Sequence, residues 1–350
     1  MQSTLFHIPT HLSVGGANLP LFGWGLLLLV WAVVGAAGLV WAGLRHGIRP
    51  AAMSLGLPLA VAAAMILWVL PSLDDGAGVP IRGYGVMLLL AAAAGTWLAI
   101  VRGRAAGFDT DTILALGTEV FIWGLVGARL FYVLEYREQF FRPGMSLADS
   151  LAAIVNIAAG GLVVFGSLPT AALAAWRFAS RRGLSLPKLA DCAAPSLVVG
   201  LAIGRIGCYL NGCCYGGPCD LPWAVQFPAG TAPAEHHPGA GGWSLPLHPA
   251  QLYAAIDAAL LALLAITFTP LARRDGEVFA LVLTLHPISR ILLEMIRVDE
   301  PPALGTPLSI SQLISIGLLA VAAGLWWWLS RQPRRLRPPT AIATAGRETG

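Results

Sequence analysis

The chain has 350 residues, of which 57% are hydrophobic and 11% charged, with a net charge of +4. Soluble domains carry roughly 25% charged residues, so this composition excludes a soluble globular enzyme. The surplus cations fall in short clusters between apolar runs, which excludes a nucleic-acid-binding face and predicts an all-α polytopic membrane bundle.

In chain order, apolar stretches long enough to cross a hydrocarbon core of about 30 Å lie at 22–44, 51–70, 83–101, 112–134, 151–176, 189–210, 250–268, 278–295 and 308–329. That predicts about nine transmembrane helices. The first twenty residues contain no Lys or Arg, so no cleavable leader is expected and the first helix should be retained. After the His7–His11 segment, Leu19 to Ala32 (LPLFGWGLLLLVWA) is echoed by Val79 to Ala92 (VPIRGYGVMLLLAA). The two copies share P-x-x-G-aromatic-G before a helix; partial duplication and a shared need at helix starts both account for it. The expected organisation is an added N-terminal helix pair at 1–78, a membrane body at 79–330 and a basic, disordered cytoplasmic tail at 331–350. The stretch at 278–295 is interrupted by Pro287, Arg290 and Glu294, so it is expected among other helices rather than against lipid.

Clusters at Arg45 and Arg49, Arg102 and Arg104, Arg177 to Lys188, Arg273 and Arg274, and Arg331 to Arg337 occupy every second connection. By the positive-inside rule this predicts an external N-terminus, a cytoplasmic C-terminus and Trp326, Trp327 and Trp328 at the inner interface. The connection 211–247 has no Lys or Arg and many Pro and Gly. It reads as a small external lobe with little regular structure.

The chemistry concentrates at residues 200–219, GLAIGRIGCYLNGCCYGGPC. Glycines free the backbone there, and an arginine held near lipid needs a partner or an anionic ligand. With this topology Arg129, Arg205 and Arg290 all fall in the outer half of the membrane, as do Tyr84 and the glycines of 160–166, with His248 at the mouth of a helix. Each has a plainer alternative. Arg129 can pair with Glu135, Arg290 with Glu294 and Arg297 in an i, i+4 and i+3 ladder. Tyr84 can belong to the interfacial aromatic belt, His248 can cap its helix, and the glycines can serve ordinary helix packing. Cys208, Cys213, Cys214 and Cys219 suit a disulfide better than a metal, because their spacing lacks the usual C-x2-C of zinc sites.

These residues resemble the prolipoprotein diacylglyceryl transferase family. Its signature G-R-x-G-N-F-x-N-G-E-x-x-G is followed, with changes, from Gly204 to Gly216. Tyr84-Gly85, Gly127-Ala128-Arg129, Gly160-Gly161-Leu162, His248-Pro249-Ala250-Gln251-Leu252-Tyr253 and Arg290 through Glu294 to Arg297 occur in family order over about residues 80–330. The resemblance implies transfer of the diacylglyceryl group of phosphatidylglycerol to the lipobox cysteine of a prolipoprotein signal peptide, without metal or organic cofactor, at the outer leaflet of a bacterial inner membrane. It implies Arg205 and Arg290 as the phosphate-binding cations, His286 or His248 as proton acceptor, and Tyr84 and Asn211 as headgroup contacts. Gly160, Gly161 and Gly216 would line the substrate site, and Glu294 and Arg297 would complete it. Departures fall at the acid–base positions: Cys208 for Asn, Cys213 for Glu, Phe165 for His or Tyr, Ala254 for Glu and His286 for Tyr. They keep open an inactive anionic-lipid-binding paralogue and, as a different class, an outer-face thiol or metal membrane protein.

Overall fold

A computed structural model describes residues 4–14, 17–142, 144–156, 160–298, 303 and 305–334. Most of the basic tail expected at 331–350 therefore lies outside the described residues. The chain divides into two compact units, residues 1–87 with 210–213 and residues 88–209 with 214–350.

The first unit is a helical hairpin with two small ribbons. Strand β1 (Thr4–Ile8) pairs antiparallel with β4 (Val79–Arg82), and β2 (His11–Val14) with β3 (Ala17–Pro20). Helix α1 (Leu26–His46) turns at Gly47 into α2 (Ile48–Ala64), which continues through a π turn at Met65–Val69 into α3 (Leu70–Ser72). The strands were not expected from an all-helical pattern, but a hairpin of two long helices returns the chain to its starting level. The segments flanking it then lie side by side and pair.

The second unit holds most of α4 (Gly83–Ala105), then α5 (Thr110–Glu135), α6 (Arg137–Phe140), α7 (Leu147–Val155), α8 (Val164–Arg182) and α9 (Leu186–Asn211). After the lobe come α10 (Ala232–His236), α11 (Ala250–Phe268), α12 (Glu277–Glu294) and α13 (Ile310–Ser330). Among the described residues, seven helices are long and apolar enough to cross a membrane: α1, α2 with α3, α4, α5, α9, α11 and α13. This is a multi-pass membrane protein. The α12 helix forms across Pro287 but carries Glu277, Arg290 and Glu294 within its 18 residues, and it is not among the seven.

The single span predicted at 151–176 is corrected to two helices. The α7 helix stops at Val155, and α8 starts at Val164. Gly160 and Gly161 between them have φ of +86° and +78°, a left-handed conformation that ends helices. An apolar run specifies burial but not continuity, so hydropathy alone could not place the break.

Lipid removes the hydrophobic drive between helices, leaving close packing and polar contacts to hold the unit. The α5 and α8 helices cross at Gly127 and Gly166, where a Cβ on either residue would collide with the other's carbonyl. At the opposite end of α9 from Arg205, buried Asp191 accepts from the backbone N–H of Gly276 at 2.8 Å and of Phe279 at 2.9 Å. It thereby caps the start of α12. Val198 of α9, Leu261 and Ala262 of α11, and Val282 and Leu285 of α12 pack into one apolar cluster. Of the three tryptophans placed at an interface by sequence, Trp326 donates to Thr284 of α12 at 3.0 Å.

Candidate active site

Arg129 is 7% exposed, and its guanidinium donates five hydrogen bonds, all to backbone carbonyls. Nε reaches Ile154, Nη1 reaches Gly160 and Gly161, and Nη2 reaches Ala153 and Asn156, over 2.6–3.0 Å. A guanidinium has five N–H groups, so every one is used. The alternative pairing with Glu135 is corrected: the charge is compensated by peptide dipoles released where α7 ends. The rings of Tyr132 and Phe140 add two cation–π contacts at 5.4 Å. Arg129 is therefore a clamp on 153–156 and 160–161, and Gly160 and Gly161 face this clamp rather than Arg205 or Arg290.

Arg205 sits near the exit of α9, half-buried. Among the described residues no hydrogen bond or ion pair ties its guanidinium to another group. Beyond α9 the signature stitches three elements together. The N–H of Gly216 donates to the carbonyl of His248, that of Gly217 to Ile296, and that of His248 back to Gly217, over 2.8–3.0 Å. Gly216 also forms an antiparallel bridge with Arg297. A Cβ on Gly216 would press on Cβ of His248 at 2.6 Å, so this glycine keeps the exit of α12 and the start of α11 together.

On α12, Glu294 lies 2.8 Å from Arg290 and 3.6 Å from Arg297, with all three side chains largely buried. The ladder anticipated from spacing forms, and it contains one more cation than anions. Arg290 also donates to Ser311 of α13 at 2.9 Å. One turn before Arg290, His286 lies within electrostatic reach of Asp257, Arg205 and Arg290. Ser289, on the same face, donates to Asp257 of α11 at 2.7 Å. Helices α11 and α12 thus meet through Ser289 and Asp257, beside the His286 and Arg290 turn of α12.

His248 is placed differently. Its Nδ1 lies 3.5 Å from the hydroxyl of Tyr253, which in turn accepts from Trp223 Nε1 at 2.7 Å. The residue capping α11 is Pro249, not His248, which corrects the capping alternative. In the lobe, Tyr215 and His236 share a hydrogen bond of 2.6 Å, and Phe227, Ser244 and Leu247 are fully buried. Tyr84 and Asn211 belong to the first unit, Tyr84 in the first turn of α4 and Asn211 as the exposed last residue of α9.

The family model described as prolipoprotein diacylglyceryl transferase matches residues 75–328. The chain belongs to the prolipoprotein diacylglyceryl transferase family. Three relatives are named phosphatidylglycerol–prolipoprotein diacylglyceryl transferase. That of Rhodopirellula baltica is 41% identical over 242 residues, 66% of this chain and 48% of the relative, so the match spans about half of that protein's length. Those of Clostridium tetani and Gloeobacter violaceus are 30% and 31% identical, over 70% and 75% of this chain and 92% and 93% of their own lengths.

For a member of the prolipoprotein diacylglyceryl transferase family, the useful distinction is among the arginines. Arg129 is saturated by carbonyls and Arg297 is tied to Glu294, whereas Arg205 is uncommitted among the described residues. The sulfurs of Cys208 and Cys214 lie within 4.8 Å of one another. Sequence reasoning missed Asp257 and Ser289. The available signal was the carboxylate itself, since an Asp inside an apolar span is costly enough to demand a reason.

Proposed function

We propose that this chain transfers the diacylglyceryl group of phosphatidylglycerol to the thiol of a prolipoprotein lipobox cysteine, forming a thioether and releasing glycerol phosphate. The family supports the reaction class, and the relatives' names supply both substrates. The observation that carries the reading is Arg205, half-buried near the exit of α9, with no hydrogen bond or ion pair to another group among the described residues. Two cations and a titratable ring are what the chemistry asks for.

The thiol sulfur attacks the glycerol carbon while negative charge builds on the departing phosphate. Arg205 and Arg290 hold that phosphate, because guanidinium forks bind its oxygens bidentately and keep their charge in an apolar setting. Glu294 orients Arg290 and Arg297 and keeps them from being two bare buried cations. Loss of the thiol proton is a modest demand. A thiol of pKa near 8.5 must fall about 1.5 units to be half ionised at neutral pH, worth about 2 kcal/mol. His286 takes that proton, with His248 as the second candidate. Gly216, packed on His248, shapes the backbone beside it. The site opens to the outer leaflet of a bacterial inner membrane, where the signal peptide of a prolipoprotein presents its lipobox.

The test is transfer of labelled diacylglyceryl from phosphatidylglycerol vesicles to a lipobox peptide by the purified full chain. Wild type should transfer label, while Arg205→Ala and Arg290→Ala should insert normally and transfer almost none. Absence of transfer by correctly folded wild-type protein would leave the inactive-paralogue reading in its place.

A further inference from the structure

Asp257 has no role in the reaction as described so far, yet it is a carboxylate in the middle of an apolar helix. Such a group is expensive within a membrane and is retained where it pairs or works. Its Oδ2 accepts from Ser289 Oγ at 2.7 Å, and the same hydroxyl lies 3.0 Å from the backbone carbonyl of His286, one helical turn earlier. His286 Nδ1 is buried and has no hydrogen-bond partner among the described residues. A buried ring nitrogen without a partner costs about 1–3 kcal/mol, and the carboxylate within electrostatic reach of this ring is Asp257. His248 is engaged elsewhere, with Tyr253 and through it Trp223.

We propose that the His286 ring, whose Nδ1 has no partner among the described residues, turns Nδ1–H onto the Asp257 carboxylate held by Ser289 when substrate enters, and that Nε2 of His286 then removes the proton of the incoming thiol. This rests on the transfer reading and assigns its proton acceptor. A carboxylate behind an imidazole fixes the tautomer and stabilises the imidazolium that forms, the logic by which such pairs work in other folds. In the step, the S–H proton passes to Nε2, the sulfur electron pair forms the S–C bond, and the C–O bond to phosphate breaks with its electrons leaving on oxygen. The proton on His286 then passes to the released glycerol phosphate. His286 is the catalytic residue; Asp257 and Ser289 are positioning residues.

The experiment compares two lipobox peptides on the full chain in phosphatidylglycerol vesicles, one with cysteine and one with selenocysteine, kept reduced. A selenol is already ionised at neutral pH and needs no base. With the cysteine peptide, His286→Ala should lose about 100-fold in kcat, in keeping with general-base catalysis. Asp257→Asn should lose about 10-fold and Ser289→Ala a few-fold, with KM for the lipid unchanged, on the same scale of effect. The His286→Ala, Asp257→Asn double variant should be no worse than His286→Ala alone. With the selenocysteine peptide all of these should return to within a few-fold of wild type, while Arg205→Ala should not. Multiplicative losses in the double variant, or no recovery on the selenol by folded protein, would overturn the pair. If His286→Ala does not fold, the Asp257→Asn and Ser289→Ala comparison decides alone. Wild type inactive on both peptides would instead overturn the transfer reading on which the pair depends.

Discussion

The guanidinium of Arg129 and the backbone of Gly161 fit each other from both directions. Nη1 donates to the Gly161 carbonyl at 2.7 Å, and a Cβ on Gly161 would lie 2.8 Å from that same nitrogen and overlap the Tyr132 ring. Charge, turn and glycine are one device. It ties the end of α7 to the turn at Gly160 and Gly161 that precedes α8.

Gly161→Ala should therefore cost more than Gly160→Ala. Both need a left-handed backbone, worth about 1–2 kcal/mol for a non-glycine residue. Only at Gly161 would the new methyl meet anything, since a Cβ on Gly160 has open space around it. Thermal unfolding of the purified protein in detergent should show the larger drop in Tm for Gly161→Ala; equal drops would mean that the clamp yields freely.

Arg129→Lys keeps the charge but has three donors for five carbonyls. At least two buried carbonyls lose a partner, at about 1–3 kcal/mol each. The expected result is faster proteolysis or amide exchange at 153–156 and 160–161. Wild-type protection there would show that water replaces the lost donors.

Arg205→Lys separates charge from geometry. If a bidentate fork holds the phosphate, the lysine variant should lose about 10- to 100-fold in kcat/KM, which is about 1.4–2.8 kcal/mol of transition-state stabilisation. Arg205→Ala should lose considerably more. A lysine variant with full activity would show that only a positive charge is required at that position.

Asp109 predicts a pH response at the start of α5. Its carboxylate accepts from the backbone N–H of Thr112 at 3.2 Å as the helix N-cap. Hydrogen bonding to Thr112 is the main cause that holds its pKa below the ordinary 3.8. A group whose folded pKa is depressed contributes stability above its unfolded value and loses it as pH falls through the folded one. Protection of the Thr112 amide, as its exchange rate relative to the intrinsic rate at each pH, should be high above pH 3.8 and fall below it. In Asp109→Ala the pH step should vanish.

Much of the architecture was legible without coordinates because a membrane constrains the chain locally. A helix satisfies its own backbone groups, so length and hydropathy of a stretch suffice, and seven apolar helices appear where apolar stretches were marked. The ladder of Arg290, Glu294 and Arg297 was equally legible, being a matter of spacing along one helix. The break after Val155 was not, because the run around it is apolar whether or not it is helical. Nor were the strands β1 and β4, whose pairing depends on a hairpin bringing distant segments to one level.

The residues by themselves determined that this is a many-helix membrane protein carrying costly arginines in an otherwise apolar chain, since charge and hydropathy are properties of each position. Only the tertiary structure decided what each charge meets. Arg129 is satisfied by carbonyls 24–32 residues away, Ser289 meets Asp257 across 32 residues, and His286 comes near Arg205 from another helix. Electrostatic energy depends on distance in space and on burial, and helix packing, not sequence order, determines both.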